Sequence, residues 1–359
     1  MMWPYFVMLG IPALLAFSGA LKGLRLKSAV VIDAFFLIWL ILLIFRKETV
    51  GVDLRNYHYL FIRSFYVSLD ESLLHAFHPD YEIGVTLLSK LIGVFTSDFR
   101  VFIVVTALLS ILPIWMMYRV NADTNPYLSI VVLLAVGLFS IYFSAIRQVL
   151  AMGFVYPAFE AVKRKKLRPF LLCVLLAYFF HHSALVMLLM YPVYHMKLKR
   201  QTDMLLILPL ILLVYVFRVP VFNFLRVVIG TYYAGSTKET GAFLALALLA
   251  IFLLYSYLIP DSGKLDEQTV GLRNLLILTV VIQIFSGINY VAMRMNYYFL
   301  LLVPLLLPRI AARASERNRK MAKTSVVVMV LFFTFWYYYR AYTTADILRV
   351  YPYIPAWAI

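Results

Sequence analysis

Charge is the scarcest commodity in this sequence. Only 14% of the 359 residues are Asp, Glu, Lys or Arg, against roughly 25% in a soluble domain. The shortage is sharpest for acid: 17 carboxylates stand beside 33 basic residues. There is one cysteine, Cys173, inside the apolar stretch Phe170–Phe180, which excludes an intramolecular disulfide and any cysteine-based zinc or iron–sulfur centre. The apolar runs lack period-2 alternation, which argues against a barrel. No internal repeat, soluble domain or flexible linker interrupts the chain. No cleavable signal is expected, because the first 21 residues are uncharged and positive charge begins only at Lys22, the reverse of a signal's order.

What is present is hydrocarbon. Apolar residues make up 64% of the chain, more than one water-facing fold can bury. This excludes a cytosolic enzyme, a disordered protein and a small secreted module. The bilayer is then the main solvent, and backbone polar groups in it must be satisfied within helices. The net charge of +16 reads as cytoplasmic loops obeying the positive-inside rule, not as a nucleic-acid surface.

A span needs ~20 mostly apolar residues. The pattern predicts spans at 2–20, 29–45, 99–118, 127–143, 144–161, 203–219, 241–259, 273–290, 294–312 and 323–341. The whole chain, 1–359, reads as a single transmembrane domain with an outer loop at about 46–98. In that loop Leu54, Tyr57, Leu60, Phe61 and Phe65 have helical spacing and predict an interfacial amphipathic helix. The stretch Tyr81–Phe95 is apolar on one face, carries Glu82 and Lys90, and suits a segment that re-enters without crossing. Pro169–Met196 lies between two basic clusters, Lys163–Arg168 and Lys197–Arg200. A hairpin of two short helices puts 20 of the 33 basic residues on the cytoplasmic side, whereas a single crossing leaves 15. The hairpin is therefore expected, with its tip at Phe179–Ser183 lining an outward-open cavity. The fold class is an all-α polytopic membrane protein of about twelve membrane segments with both ends outside.

This topology leaves arginines where the charge rule disfavours them, among them Arg147, Arg218, Arg226, Arg294 and Arg349. A charge at membrane depth is costly and usually functional, and arginine suits bidentate binding of phosphate. Arg147 and Arg294 are the stronger candidates; snorkelling at a helix end is the simpler account of the others. His181 and His182 sit at the hairpin tip, where a neutral imidazole is cheap to desolvate and able to act as a base. Adjacent histidines do not share a helix face, so no metal site is expected there. Asp80-Tyr81-Glu82 is a D-x-E triplet of the kind that metal-dependent membrane glycosyltransferases use, though a solvated loop end is an equal reading.

Several motifs in order resemble the EpsG/Wzy-like group of bacterial polysaccharide polymerases. They are Gly51-Val52-Asp53 with Tyr57, Tyr81-Glu82-Ile83-Gly84, and Ser144-Ala145-Ile146-Arg147-Gln148 with Ala151. Further along come Phe180-His181-His182-Ser183-Ala184-Leu185, Arg294 with Tyr297 and Tyr298, and Pro352-Tyr353. The group's His-x-Ser element falls on His181 and Ser183. The resemblance implies a GT-C-like fold and transfer of an undecaprenyl-diphosphate-linked glycan onto the next lipid-linked repeat unit, at the outer face of the bacterial inner membrane. Displacement of the diphosphate in one step would invert the anomeric configuration, and because it is a good leaving group an inverting, metal-independent glycosyltransferase with no cofactor is expected. Its substrates are lipid-linked oligosaccharides in the bilayer, a chain-length regulator protein is a further expected partner, and nucleic acid is not. The expected catalytic residues are His181, Asp53 and Glu82. Arg147, Gln148, Arg294, Tyr57, Tyr298, His182 and Ser183 are expected to bind substrate. The rival readings are a membrane O-acyltransferase acting on surface glycans and a lipid-linked glycan flippase.

Overall fold

The computed structural model describes residues 28–70, 82–122, 125–198, 201–229, 242–260 and 265–322, then 348–358, with Gly10, Gly263 and a few positions between 324 and 339. Among the described residues there are helices and no strand, only two isolated bridges. Contacts divide the chain into two compact units, Met1–Leu185 with Val327–Ile359, and Val186–Val326.

The first unit is built on α1 (Ser28–Ile44) and α4 (Phe99–Asn121), which pack together. The 23 residues of α4 are ~35 Å long, enough for a ~30 Å hydrocarbon core. Asp33, near the start of α1, pairs with Trp115 (2.7 Å) and Arg119 near the end of α4, so the two helices run in opposite directions. Between them in sequence lie α2 (Leu54–Arg63) and α3 (Ile83–Gly93). The amphipathic face expected of α2 is there, but it does not lie on lipid. Leu54, Tyr57 and Phe61 are buried with Phe99, Phe102, Ile146 and Leu150. Phe65 falls beyond the helix end and is exposed. The Lys90 ammonium of α3 binds the carbonyls of Ser64 (2.9 Å) and Val67, neutralising the C-terminal end of α2.

Two expected spans of this unit are broken. Residues 127–143 form α5 (Pro126–Ala135) and α6 (Leu138–Ile141), parted by Gly137 at φ 80°. Residues 144–161 form α7 (Ile146–Gly153) and α8 (Val155–Lys163), parted at Phe154. After the basic cluster comes α9 (Leu167–Phe180), which ends where His181 turns extended, and a 3-10 helix (His182–Leu189) follows.

In the second unit are α10 (Met190–Tyr194), α11 (Met204–Val216), α12 (Arg218–Ile229), α13 (Ala242–Leu258), α14 (Glu267–Ser286), α15 (Tyr290–Leu300) and α16 (Val303–Ala312). Asp266 caps α14 through the Thr269 N–H (2.6 Å) and pairs with Arg313 and with Arg309 (3.7 Å). Asn274 donates to the Met196 carbonyl (2.7 Å), and Arg273, stacked 3.8 Å over the Tyr257 ring, donates to that of Leu198. These bonds gather the 196–198 segment, the start of α14 and the end of α16 at one end of the unit. Among the described residues two helices, Phe99–Asn121 and Glu267–Ser286, are long and apolar enough to cross a membrane. The number rises to four if α11 with the start of α12 (bent 72°), and α15 with α16 (bent 49°), each count as one span. Shorter apolar helices account for most of the remainder.

Candidate active site

Stretches distant in sequence meet in the first unit. One meeting is between the turn Gly51-Val52-Asp53 and the chain entering α7. Gly51 has φ 105°, and a Cβ there would sit 1.9 Å from the Phe143 carbonyl oxygen, so only glycine fits. The turn lies flat on Phe143 and Ser144, and the Val52 N–H donates to Ser144 Oγ (3.2 Å). Asp53 stands at the N-terminal end of α2, and its charge acts on both Tyr57 and Arg147. One turn further, the buried Tyr57 hydroxyl accepts the Arg147 backbone N–H (3.3 Å), one of the donors a helix start leaves unpaired.

The second meeting is between the start of α3 and the end of α9. A Cβ on Gly84 would lie 2.8 Å from the Phe179 carbonyl oxygen, so these backbones touch. That approach sets Glu82, the residue before α3, against His181. Glu82 Oε1 accepts a short hydrogen bond from His181 Nδ1 and also faces the His182 backbone N–H (3.4 Å). Glu82 Oε2 faces Arg147 Nη1 at 3.0 Å. The side chains of Glu82 and His181 are 8% and 12% exposed, whereas Arg147 keeps 37%. Burial pushes the Glu82 carboxyl up, but the hydrogen bond and charge of His181 and the charge of Arg147 outweigh it and hold the group below the usual carboxylate range.

One buried carboxylate thus orients an imidazole with one oxygen and a part-exposed guanidinium with the other. With Nδ1 bonded to a carboxylate, Nδ1 carries the proton and Nε2 is the basic nitrogen. Such a pair is able to take a proton from a hydroxyl beside a bound anion. A family model described as the EpsG family matches residues 30–354, the interval that holds all of these motifs. The chain belongs to the EpsG family. No curated protein and no solved structure matches it. Membership of the EpsG family suggests a polysaccharide polymerase-like, glycosyltransferase-like function on lipid-linked saccharides in a membrane.

The other expected site residues fall as follows. Gln148 is buried in α7 beside Arg147, and Ser183 is buried in the first turn of the 3-10 helix. The His182 ring lies 4.6 Å from that of Tyr178, so the neighbouring histidines have different surroundings. Arg294 and Tyr298 are in α15 of the second unit. Arg294 is exposed with its guanidinium 5.0 Å from the Tyr290 ring centre, and Tyr298 is fully buried. Between them, Asn296 donates to Gln283 (2.9 Å) and to the Thr279 carbonyl (3.1 Å), a buried polar link that sequence pattern did not single out. Asp80 and Tyr81 of the D-x-E triplet lie outside the described residues, as do the 2–20 span apart from Gly10, much of 323–341 and Arg200. Pro352-Tyr353 belongs to a C-terminal segment bound along residues 45–52, a partnership with no signal in the sequence.

Proposed function

We propose that the protein is a polysaccharide polymerase that joins undecaprenyl-diphosphate-linked oligosaccharide repeat units at the outer face of the bacterial inner membrane, as a metal-independent inverting glycosyltransferase of GT-C-like architecture. The observation that carries this reading is the Glu82 carboxylate shared by His181 and Arg147, with every partner inside the interval that the EpsG family model matches.

His181 Nε2 takes the proton of the acceptor sugar hydroxyl. The hydroxyl oxygen forms the new bond to the anomeric carbon of the donor glycan, on the face opposite the diphosphate. The bond from that carbon to the phosphate oxygen breaks, and the diphosphate leaves with its electron pair, which inverts the configuration. Arg147 stabilises the charge that develops on the leaving group. Glu82 holds the imidazole and stabilises the imidazolium that forms. Tyr57 fixes the start of α7 and so the aim of Arg147. Gln148, His182 and Ser183 shape the walls, and Arg294 and Tyr298 are substrate-binding residues of the second unit.

The outward orientation is supported by the distribution of basic residues between the two ends of the first unit. The Lys163–Arg168 cluster follows α8, whose last turn meets Asn121 at the end of α4 through Glu160 (3.3 Å) and Lys163 (2.8 Å). The Arg147 end of α7 lies at the other end, near Arg46 and Arg100. By the positive-inside rule the lysine-rich end is cytoplasmic. Cells that lack the protein should accumulate single-repeat glycans in place of long chains, and restoring the wild-type chain should restore length. Normal chain length with altered acetyl content would instead support the acyltransferase reading.

A further inference from the structure

The C-terminal segment 348–358 is strapped along residues 45–52. The Gly51 N–H donates to the Arg349 carbonyl (2.9 Å), Val52 N–H to that of Leu348 (2.9 Å), Lys47 N–H to that of Ile354 (2.8 Å), and Ala356 N–H to that of Phe45 (2.7 Å). Side chains add Ser144 Oγ to the Leu348 carbonyl (2.9 Å), Lys47 Nζ to that of Ala358 (2.8 Å), and Tyr353 Oη to that of Leu42 (3.1 Å). Burial pushes the Tyr353 phenol up to about 12, so it remains a donor at any physiological pH.

Within this strap Arg349 has φ 52°, a left-handed backbone that crowds the Cβ of an L-residue and that glycine or asparagine adopts more readily. The strap uses only the backbone of Arg349; its side chain is exposed and pairs with no described residue. The fold therefore gains nothing from an arginine here, and a functional reason is the natural account of a strained residue at such a place.

The neighbouring site is short of positive charge. The charge of Arg147 is matched by Glu82 at 3.0 Å, and Asp53 adds a further negative charge nearby. A diphosphate brings at least two negative charges of its own. Arg349 is hydrogen-bonded to Gly51, two residues from Asp53, and its neighbour Leu348 to Ser144, three residues from Arg147. We propose that Arg349 is a substrate-binding residue, a cation carried on the C-terminal strap that completes a diphosphate site with Arg147. The identity of the anion as a lipid diphosphate rests on the polymerase reading above.

The test uses the full-length protein in detergent and in membranes. Arg349→Gly and Arg349→Asn preserve the left-handed backbone and remove the charge; Arg349→Lys preserves the charge. Inorganic pyrophosphate should raise the melting temperature of wild type and of Arg349→Lys, and the shift should be lost in Arg349→Gly and Arg349→Asn, although these two melt no lower than wild type without ligand. In membranes polymer formation should fall at least tenfold in the same two variants, through a raised KM for the lipid-linked donor. Pyrophosphate stabilisation that persists in Arg349→Gly, or full polymer from it, overturns the assignment. Wild type that is stabilised by pyrophosphate but makes no polymer, with stabilisation lost in Arg349→Gly, leaves the anion site standing and overturns the polymerase reading instead. No response to pyrophosphate in wild type overturns the anion site.

Discussion

Glu82 joins His181 and Arg147, the two side chains on which the proposed reaction turns. Removing its charge while keeping its shape leaves His181 with only a neutral amide acceptor, which does not stabilise an imidazolium, and releases Arg147. Glu82→Gln should therefore lower polymer formation by ~10²-fold or more with the protein still inserted, as measured by product length in complemented cells. The acid titration of the fold tests the same pairing. The folded-state pKa of Glu82 lies below its unfolded value, so its pairing stabilises the fold at neutral pH, and that contribution is lost as pH falls through the folded value. Wild type should melt above Glu82→Gln at neutral pH, and the gap should close in acid; a gap that stays constant would mean the carboxyl is not ionised in the fold. His181→Ala should cost far more activity than His182→Ala, because His181 holds the carboxylate bond while the His182 ring packs on Tyr178. Equal losses would remove the distinction. Arg147→Lys should only partly retain activity, since an ammonium lacks the planar fork.

At the scale of elements, the site depends on close backbone approaches and not on any one helix being long. Gly84→Ala forces α3 away from Phe179, at a cost of ~1–3 kcal/mol, and moves Glu82 off His181. It should lower both melting temperature and polymer yield, and unchanged activity would show that the two segments tolerate separation. Ser144→Ala removes one of two donors to the Leu348 carbonyl and one of two acceptors of the Val52 N–H while leaving these two groups bonded to each other, a loss of ~0.5–1.5 kcal/mol of stability readable by thermal melting, which Ser144→Thr should largely restore. Element scale is also where pattern and structure diverge most. The helical spacing of Leu54, Tyr57 and Phe61 identified α2, but periodicity states only that one face is apolar, not whether lipid or protein covers it. Here protein does, through Phe99, Phe102, Ile146 and Leu150. Likewise hydropathy reads 127–143 and 144–161 as continuous, because a break at Gly137 or Phe154 interrupts the helix without changing apolar character.

For the whole molecule, the remaining expectation is topological. With Cys173 replaced by serine, single cysteines beside Lys163–Arg168 and beside Lys197 should resist an impermeant reagent added outside, while cysteines beside Glu48 and at Tyr59 should react. Labelling beside Lys197 without labelling beside Lys163 would remove the hairpin and reverse every later segment. The expectation draws on charge alone, and charge distribution is a property the sequence carries openly.

Composition was enough to determine the solvent: a chain 64% apolar and 14% charged has to satisfy its backbone in helices within a bilayer. Motif order was enough to point to the family, and the break at His181 was legible because the charge split between the two basic clusters favours a turn near the middle of the apolar run between them. What sequence left open was which of His181, Asp53 and Glu82 touches which, because Glu82 and His181 are 99 residues apart and no local pattern reports a long-range pair. The tertiary structure joined them through Gly84 on Phe179, where the absence of a side chain lets two backbones meet. It alone also decided that the last described residues belong beside Gly51 and Ser144. That contact runs mainly through backbone N–H and carbonyl groups, which every residue type offers and which therefore leave no mark in the sequence.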